Sequence, residues 1–387
     1  MTKTKNIEFL SKCSINLLCL ITIIASVYTS FSLNLTERSL WLDEAMLAYS
    51  FCQRGITDLT SDIFEWNQSA PVIYLYIVKI ITTLLGNSEF TLRLWSFISY
   101  IILLGICFYF LKKICPIRFP LLGVAFISNL AVLIMYSNEF KPYMTDCVAV
   151  LLTIVIFYFY TEKKTNRFIV IMLYAALIWL SNPCCFFIGS ILLYEFIDGL
   201  IKKDYSRFKF SIYCGVAVLL SFIAYYFFWL APVIDQGEMS IFWEDYRLPL
   251  IPTSYEDVVR LKTLISTIID QLGSYKILIT SIVIIGVFIN IFCDKNKYIF
   301  IVCGGIIITL FASMLGMYPV SVRLFLFIYP ITGILFFFYL DKLYSTNRTQ
   351  NTIATTIFII MLLSTTGVQK YKYEQPVQAH RRNKSGY

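Results

Sequence analysis

The chain has little charge and almost no histidine. Only 14% of its 387 residues are Asp, Glu, Lys or Arg, against 58% hydrophobic residues and a mean hydropathy of +0.72. A soluble domain carries about 25% charge, so an ordinary soluble protein is excluded, and a disordered chain with it. The one histidine, His380, stands in the C-terminal tail. That removes His-pair zinc sites, Ser-His-Asp triads and Cys-His dyads. The eleven cysteines contain no C-x-x-C pair, and most lie inside apolar runs. They read as small hydrophobes, the adjacent Cys184 and Cys185 included, with no disulfide framework. The formal charge of +8 gathers on no soluble domain, so a nucleic acid partner is not implied. No internal repeat or low-complexity tract is legible.

What is there is a series of apolar runs of membrane-crossing length. They cover 13–33, 94–111, 119–136, 142–160, 168–180, 183–201, 210–231, 276–293, 298–316, 322–340 and 350–368. A shorter run, 71–86, contains Lys79. The first run follows Lys3, Lys5 and Lys12 and lacks a small-residue cleavage site, which reads as a retained signal anchor. The expected fold class is therefore all-α, a polytopic membrane protein of about eleven transmembrane helices. Residues 1–368 form one transmembrane domain, and 369–387 form a polar tail.

Orientation follows from basic residues in the short loops. Loops 112–118, 161–167, 202–209, 294–297 and 341–349 hold 14 Lys and Arg, whereas the alternating loops 137–141, 181–183, 232–275 and 317–323 hold 5. The first set is assigned to the cytoplasm. The basic N-terminus and the basic loop 112–118 then share a side, so one of the three apolar runs between them does not cross. The run 71–86 is the weakest of the three. It is read as an interfacial helix within a first outer loop, 34–92. A turn at Ser181-Asn182-Pro183 separates the spans on either side of it.

Sorting polar residues by side leaves the unusual ones outside. Asp43 and Glu44 follow the first span in Ser39-Leu40-Trp41-Leu42-Asp43-Glu44-Ala45. The plain structural reading is a helix N-terminus whose dipole favours acids. Glu139, Lys141 and Asp146 lie within eight residues of one another at the next outer boundary. Snorkelling explains Lys141, but Asp146 falls in the first turn of a span and should face the bundle or a cavity. Arg323 closes Tyr318-Pro319-Val320-Ser321-Val322-Arg323, where it could meet lipid headgroups or clamp a phosphate. The second large outer loop, 232–275, carries Phe242-Trp243, which could belong to an aromatic belt or stack on a sugar. Carboxylates, cations and aromatics beside a membrane suit chemistry on a lipid-borne anionic substrate.

Trp41-Leu42-Asp43-Glu44-Ala45, Asn67-Gln68-Ser69-Ala70-Pro71, Leu85-Gly86-Asn87-Ser88-Glu89 and Leu92-Arg93-Leu94 together resemble the GT-C membrane glycosyltransferases. The likeness is greatest to the family 39-like group, which includes protein O-mannosyltransferases and the lipid A aminoarabinose transferase. It continues through Tyr136-Ser137-Asn138-Glu139-Phe140-Lys141-Pro142-Tyr143 with Asp146, then Phe242-Trp243 and Pro249, then Tyr318-Pro319 and Arg323. The resemblance implies a polyprenyl-phosphate sugar donor and an acceptor hydroxyl on a glycan, lipid or protein. It also implies inversion at the sugar carbon, and a site facing outward from a bacterial cytoplasmic membrane.

In such enzymes an acid of the first outer loop is the catalytic carboxylate, which maps onto Asp43, with Glu44 its neighbour or substitute. Lys141, Arg323 and Arg93 are the candidates for the donor phosphate. Glu139, Tyr143, Asp146, Gln68, Trp243 and Tyr318 are the candidates for sugar and acceptor. Glu139 and Asp146 could instead hold a divalent cation, the one cofactor left open. The chain departs from the pattern in having Pro71 alone where relatives carry a proline pair. Three other readings compete: a transporter or flippase of lipid-linked sugars, a glycan ligase or polymerase, and a structural membrane protein. Transporters place their ionisable residues near mid-bilayer and often show repeated halves.

Overall fold

A computed structural model describes residues 2–36, 38–234 and 242–344. Among them there are helices and turns and no strand. In chain order the α-helices are α1 (Thr2–Leu35), α2 (Leu42–Gln53), α3 (Val72–Leu85), α4 (Glu89–Tyr109), α5 (Pro120–Ser128), α6 (Ala131–Tyr136), α7 (Tyr143–Glu162) and α8 (Arg167–Leu180). They continue with α9 (Cys184–Ile201), α10 (Tyr205–Tyr225), α11 (Ala231–Ile234), α12 (Tyr255–Asp270), α13 (Lys276–Ile289), α14 (Lys297–Met314) and α15 (Ile328–Tyr344).

Seven segments are long and apolar enough to cross a membrane: Cys13–Leu35, Glu89–Ile114, Tyr143–Glu162, Cys184–Ile201, Tyr205–Ile234, Gly273–Asp294 and Lys297–Met314. The sequence expectation of eleven spans differs from this at several places. Run 119–136 is two helices, because the chain turns at Asn129 and Leu130 between α5 and α6. Run 168–180 is the 14-residue α8, and the helix expected from 322 starts at Ile328. Run 350–368 and the tail 369–387 lie outside the described residues.

Helix boundaries follow local chemistry. The Ser88 hydroxyl accepts the Thr91 amide at the start of α4, and Asn166 and Asp204 cap α8 and α10 in the same way. Gly86, at φ 86°, ends α3 in a conformation that a Cβ would disfavour. The helix α3 buries Tyr74, Leu75 and Val78 and exposes Ile80, Leu84 and Leu85. At 14 residues it is too short for a full crossing. Its Lys79 donates to the Phe51 carbonyl of α2 at 3.0 Å and lies over the Phe51 ring. In the region read from sequence as a loop, 232–275, the structure has α12. This helix is amphipathic, buries no residue, and leaves Val258, Val259 and Ile265 exposed.

Inside the bundle, helix contacts rest on small and polar groups, as expected where lipid offers no hydrophobic drive. Thr22, Ser26, Ser30 and Asn34 recur every fourth residue along α1 and are all buried. Ser30 shares a hydrogen bond with Ser137 at 2.6 Å, and Asn138 donates to Ser30 at 3.3 Å. The first helix is thereby joined to the segment that carries Glu139 and Lys141. Farther along, Gly305 of α14 leaves no room for a Cβ against Phe187 of α9.

Candidate functional site

The site forms where three segments meet: the start of α2, the 137–142 turn before α7, and the 318–327 stretch before α15. The first turn of α2 carries adjacent acids that point in different directions, since successive helical residues are rotated by about 100°. Asp43 turns to Arg323, which donates to its Oδ2. Both side chains are partly open, at 23% and 15% exposure. Glu44 turns inward to Arg93 of α4, at 0% and 1% exposure.

The Glu44–Arg93 pair organises the backbone around it. Arg93 donates from Nε to Glu44 Oε1 at 2.9 Å and from Nη2 to Oε2 at 2.7 Å. Its remaining donors reach the carbonyls of Arg38 at 2.8 Å and Ser39 at 3.3 Å. Glu44 also accepts the amides of Phe140 at 2.7 Å and Trp41 at 3.2 Å. One buried pair thus holds the loop before α2, the top of α4 and the 137–142 turn together. Ser96 of α4 adds a bond to the Glu139 carbonyl at 2.6 Å, and Arg38 one to the Asn138 carbonyl at 3.0 Å.

On that frame sit Glu139 and Lys141, both buried. Lys141 donates to Gln68 Oε1 at 2.7 Å. Gln68 is placed by a strained approach: Trp66 and Asn67 both have left-handed backbones, at φ 53° and 54°. For Trp66 this costs on the order of 1–3 kcal/mol. Burial, and after it the Glu44 charge, pushes the Glu139 carboxyl up to about 8, against the pull of Arg38, Arg323 and Lys141. Burial also pushes the Lys141 ammonium down to about 8, with Arg323 adding to the push and Asp43, Glu139 and Glu44 opposing it. Tyr143, at the start of α7, is buried within electrostatic range of Arg323, Asp43 and Glu139.

Arg323 is held by rings as well as by Asp43. Its guanidinium carbon lies 4.7 Å from the Trp243 ring centroid, 5.8 Å from Trp41 and 6.0 Å from Phe242. Such faces attract a cation without neutralising it. The Val320 amide donates to the Tyr246 carbonyl at 2.7 Å, which fixes the Phe242-Trp243 segment to the Arg323 stretch.

The remaining sequence candidates stand farther back. Tyr318 donates its hydroxyl to the Leu324 carbonyl at 2.9 Å and packs edge-on against Phe186. Asp146 is buried in the first turn of α7, on the side of Ser181, Tyr225 and Tyr318, with its Oδ1 unpartnered. Among the described residues, no three His, Cys, Asp or Glu side chains group closely enough to hold a metal ion. Sequence reasoning missed three contributors: Trp41 as a ring on Arg323, and Arg38 and Ser96 as supports of the 137–142 turn. Arg38 has a legible signal, a cation five residues before the acidic pair; Ser96 has none.

No protein-family model matches the chain, and no curated protein matches it. Among solved structures, ArnT from Cupriavidus metallidurans is similar, both bound to undecaprenyl phosphate and in the apo state. Each superposes with a TM-score of 0.55 at 12% sequence identity, covering 87% and 89% of this chain respectively. This chain spans 63% of the ArnT chain's length. Helical architecture and this likeness agree: the chain has the ArnT-like GT-C fold of a polytopic membrane protein.

Proposed function

We propose that the chain is a membrane glycosyltransferase of the family 39-like group. It moves a sugar from a polyprenyl-phosphate donor to an acceptor hydroxyl on the extracytoplasmic side. The observation that carries this reading is the partly open Asp43–Arg323 pair, backed by the second cation Lys141 and bordered by Trp41, Phe242 and Trp243. The similarity to ArnT, solved with undecaprenyl phosphate, supports it at the level of the fold.

The chemistry follows from the pairing. A donor phosphate competes with Asp43 for Arg323, because both are anions that the same guanidinium can bind. Once Arg323 turns to the phosphate, the Asp43 carboxylate is released. It takes the proton of the acceptor hydroxyl, whose oxygen attacks the anomeric carbon. The bond from that carbon to the phosphate oxygen breaks, and its electron pair leaves with the lipid phosphate. Arg323 and Lys141 stabilise the charge gathering there. Direct displacement inverts the anomeric carbon.

In this reading Glu44 and Arg93 are the frame, not the reacting groups, since their donors and acceptors are already engaged. Gln68, Tyr143, Trp243, Asp146 and Tyr318 border or support the sugar and acceptor space. The buried Glu44, Arg93, Glu139, Lys141 and Asp146 stand near helix starts and in a connecting turn, which supports an enzyme over a transporter; Lys79 lies midway along the short α3 and Glu195 inside α9, paired with Arg207.

The test is transfer from defined polyprenyl-phosphate sugars by the purified full chain. Product should form from the lipid-linked donor and not from a nucleotide sugar. The pH profile is a second readout. Below about 8, Lys141 is cationic and Glu139 neutral; above it, Lys141 is neutral and Glu139 anionic. The pair thus passes from net positive to net negative, so donor affinity should fall as pH rises through about 8. Glu139→Gln removes one of the two charges, and the fall should become shallower. A profile flat from 7 to 9 contradicts the phosphate role of Lys141.

A further inference from the structure

The end of the bundle opposite Asp43 holds a cavity of about 730 Å³. It lies where α7 and α9 finish and where α8, α10 and α14 begin, about 30 Å along α7 from the site above. Its walls include Lys164, Arg167, Lys202, Arg207 and Lys297, against the carboxylates of Glu195, Asp198 and Asp204.

The carboxylates are committed within the wall. Glu195 is fully buried and chelated by Arg207 through Nε and Nη2. Asp198 takes Arg207 Nη1 and Lys202. Asp204 Oδ1 accepts the amides of Ser206 at 3.0 Å and Arg207 at 3.3 Å, capping α10. Lys297 pairs with Glu162 at 2.8 Å.

Among the described residues, neither Lys164 nor Arg167 is in an ion pair. Lys164 projects from a left-handed turn at φ 53°. Arg167 is held in one pose: Nη2 donates to the Ser206 hydroxyl at 2.7 Å, and the guanidinium faces the Phe210 ring at 5.8 Å. That ring is stacked in turn on Tyr160 at 4.3 Å. The Tyr160 hydroxyl is also within hydrogen-bonding reach of Arg167, which leaves the remaining guanidinium donors to a ligand.

The mouth of this cavity adjoins apolar helix faces. Phe168, Ile169, Met172 and Leu173 form an exposed stripe running up α8 from Arg167, and Leu200 and Ile201 end α9 exposed. A ligand with a phosphate head and long hydrocarbon chains matches both features. We propose that the cavity binds the headgroup of an anionic phospholipid, its phosphate on Arg167 and Lys164 and its chains along α8. Loop charge assigns this end to the cytoplasmic leaflet, where anionic lipid meets basic pockets between helices.

The test is lipid binding by the purified full chain in detergent, read by native mass spectrometry and by thermal shift. The probes are phosphatidylglycerol, phosphatidylcholine and glycerol 1-phosphate. Phosphatidylglycerol should bind and raise the melting temperature, and phosphatidylcholine and glycerol 1-phosphate should do neither. Replacing Lys164 and Arg167 together by Ala should weaken phosphatidylglycerol binding at least about tenfold, from two cations lost near a membrane surface. Both residues are exposed, so the variant keeps its fold. Lys112→Ala with Lys113→Ala removes the same charge from the exposed last turn of the span Glu89–Ile114, on the same side, and should leave binding unchanged. Equal loss in the two double variants would show general surface attraction and overturn the proposal. Equal binding of phosphatidylcholine, or saturation by glycerol 1-phosphate, would overturn the lipid source.

Discussion

Asp43→Asn should lower turnover by about 10³-fold, within the range of about 10²–10⁴ that a positioned general base contributes. The amide is nearly the same size and still accepts a hydrogen bond from Arg323, but it cannot take the acceptor proton. The donor's KM should fall, because the neutral amide competes with the phosphate for Arg323 less strongly than the carboxylate does. Stability should change by no more than about 1 kcal/mol, since the lost ion pair is partly exposed. Asp43→Glu, which keeps the carboxylate on a longer stem, should recover part of the rate. Turnover assays beside thermal unfolding separate these outcomes. Full activity in the Asn variant removes Asp43 as base.

The second large effect concerns folding. Glu44→Ala leaves Arg93 charged at 1% exposure with no carboxylate, and strands the amides of Phe140 and Trp41. Breaking such a pair from one side costs about 3–5 kcal/mol. Arg93→Met should cost a similar amount, by leaving Glu44 as the unpaired charge. The double variant Glu44→Leu with Arg93→Met should cost less than the two single effects added, because no buried charge remains. It should not return to wild type, since the two amides still lack an acceptor. Unfolding midpoints in detergent would show this coupling. Were Glu44 the base, Glu44→Gln would instead cut turnover while unfolding stayed near normal. The two adjacent acids thus predict opposite signatures, one in rate and one in stability.

Much of this arrangement is legible in the sequence. Composition and run length identify a helical membrane protein, and the polar helix boundaries at 41–44, 139–146 and 318–323 single out the segments that meet. What sequence could not resolve is which acid meets which cation. Asp43 and Glu44 differ by one residue, and only the rotation of α2 relative to α4 and the 318–327 stretch sends one to Arg323 and the other to Arg93. Arg93 reads from sequence as a phosphate candidate because it lies at the end of a span, and the structure pairs it with Glu44, 49 residues away. The buried stripe at 22, 26, 30 and 34 was visible in its spacing, but average hydropathy hid it inside an apolar run. The break at Asn129-Leu130 lacks a proline or glycine to announce it. By contrast, α12 carries its amphipathic period openly across 255–270, inside what length alone suggests is a loop.

The central claim is that the phosphate of a lipid donor binds at Arg323 and Lys141 and frees Asp43. A structure of the full chain with undecaprenyl phosphate bound tests it most directly. The account predicts the phosphate within hydrogen-bond distance of both the Arg323 guanidinium and the Lys141 ammonium, with the Asp43 carboxylate released and open to the acceptor side. A phosphate lodged away from these two cations, with Asp43 still paired to Arg323, would contradict it.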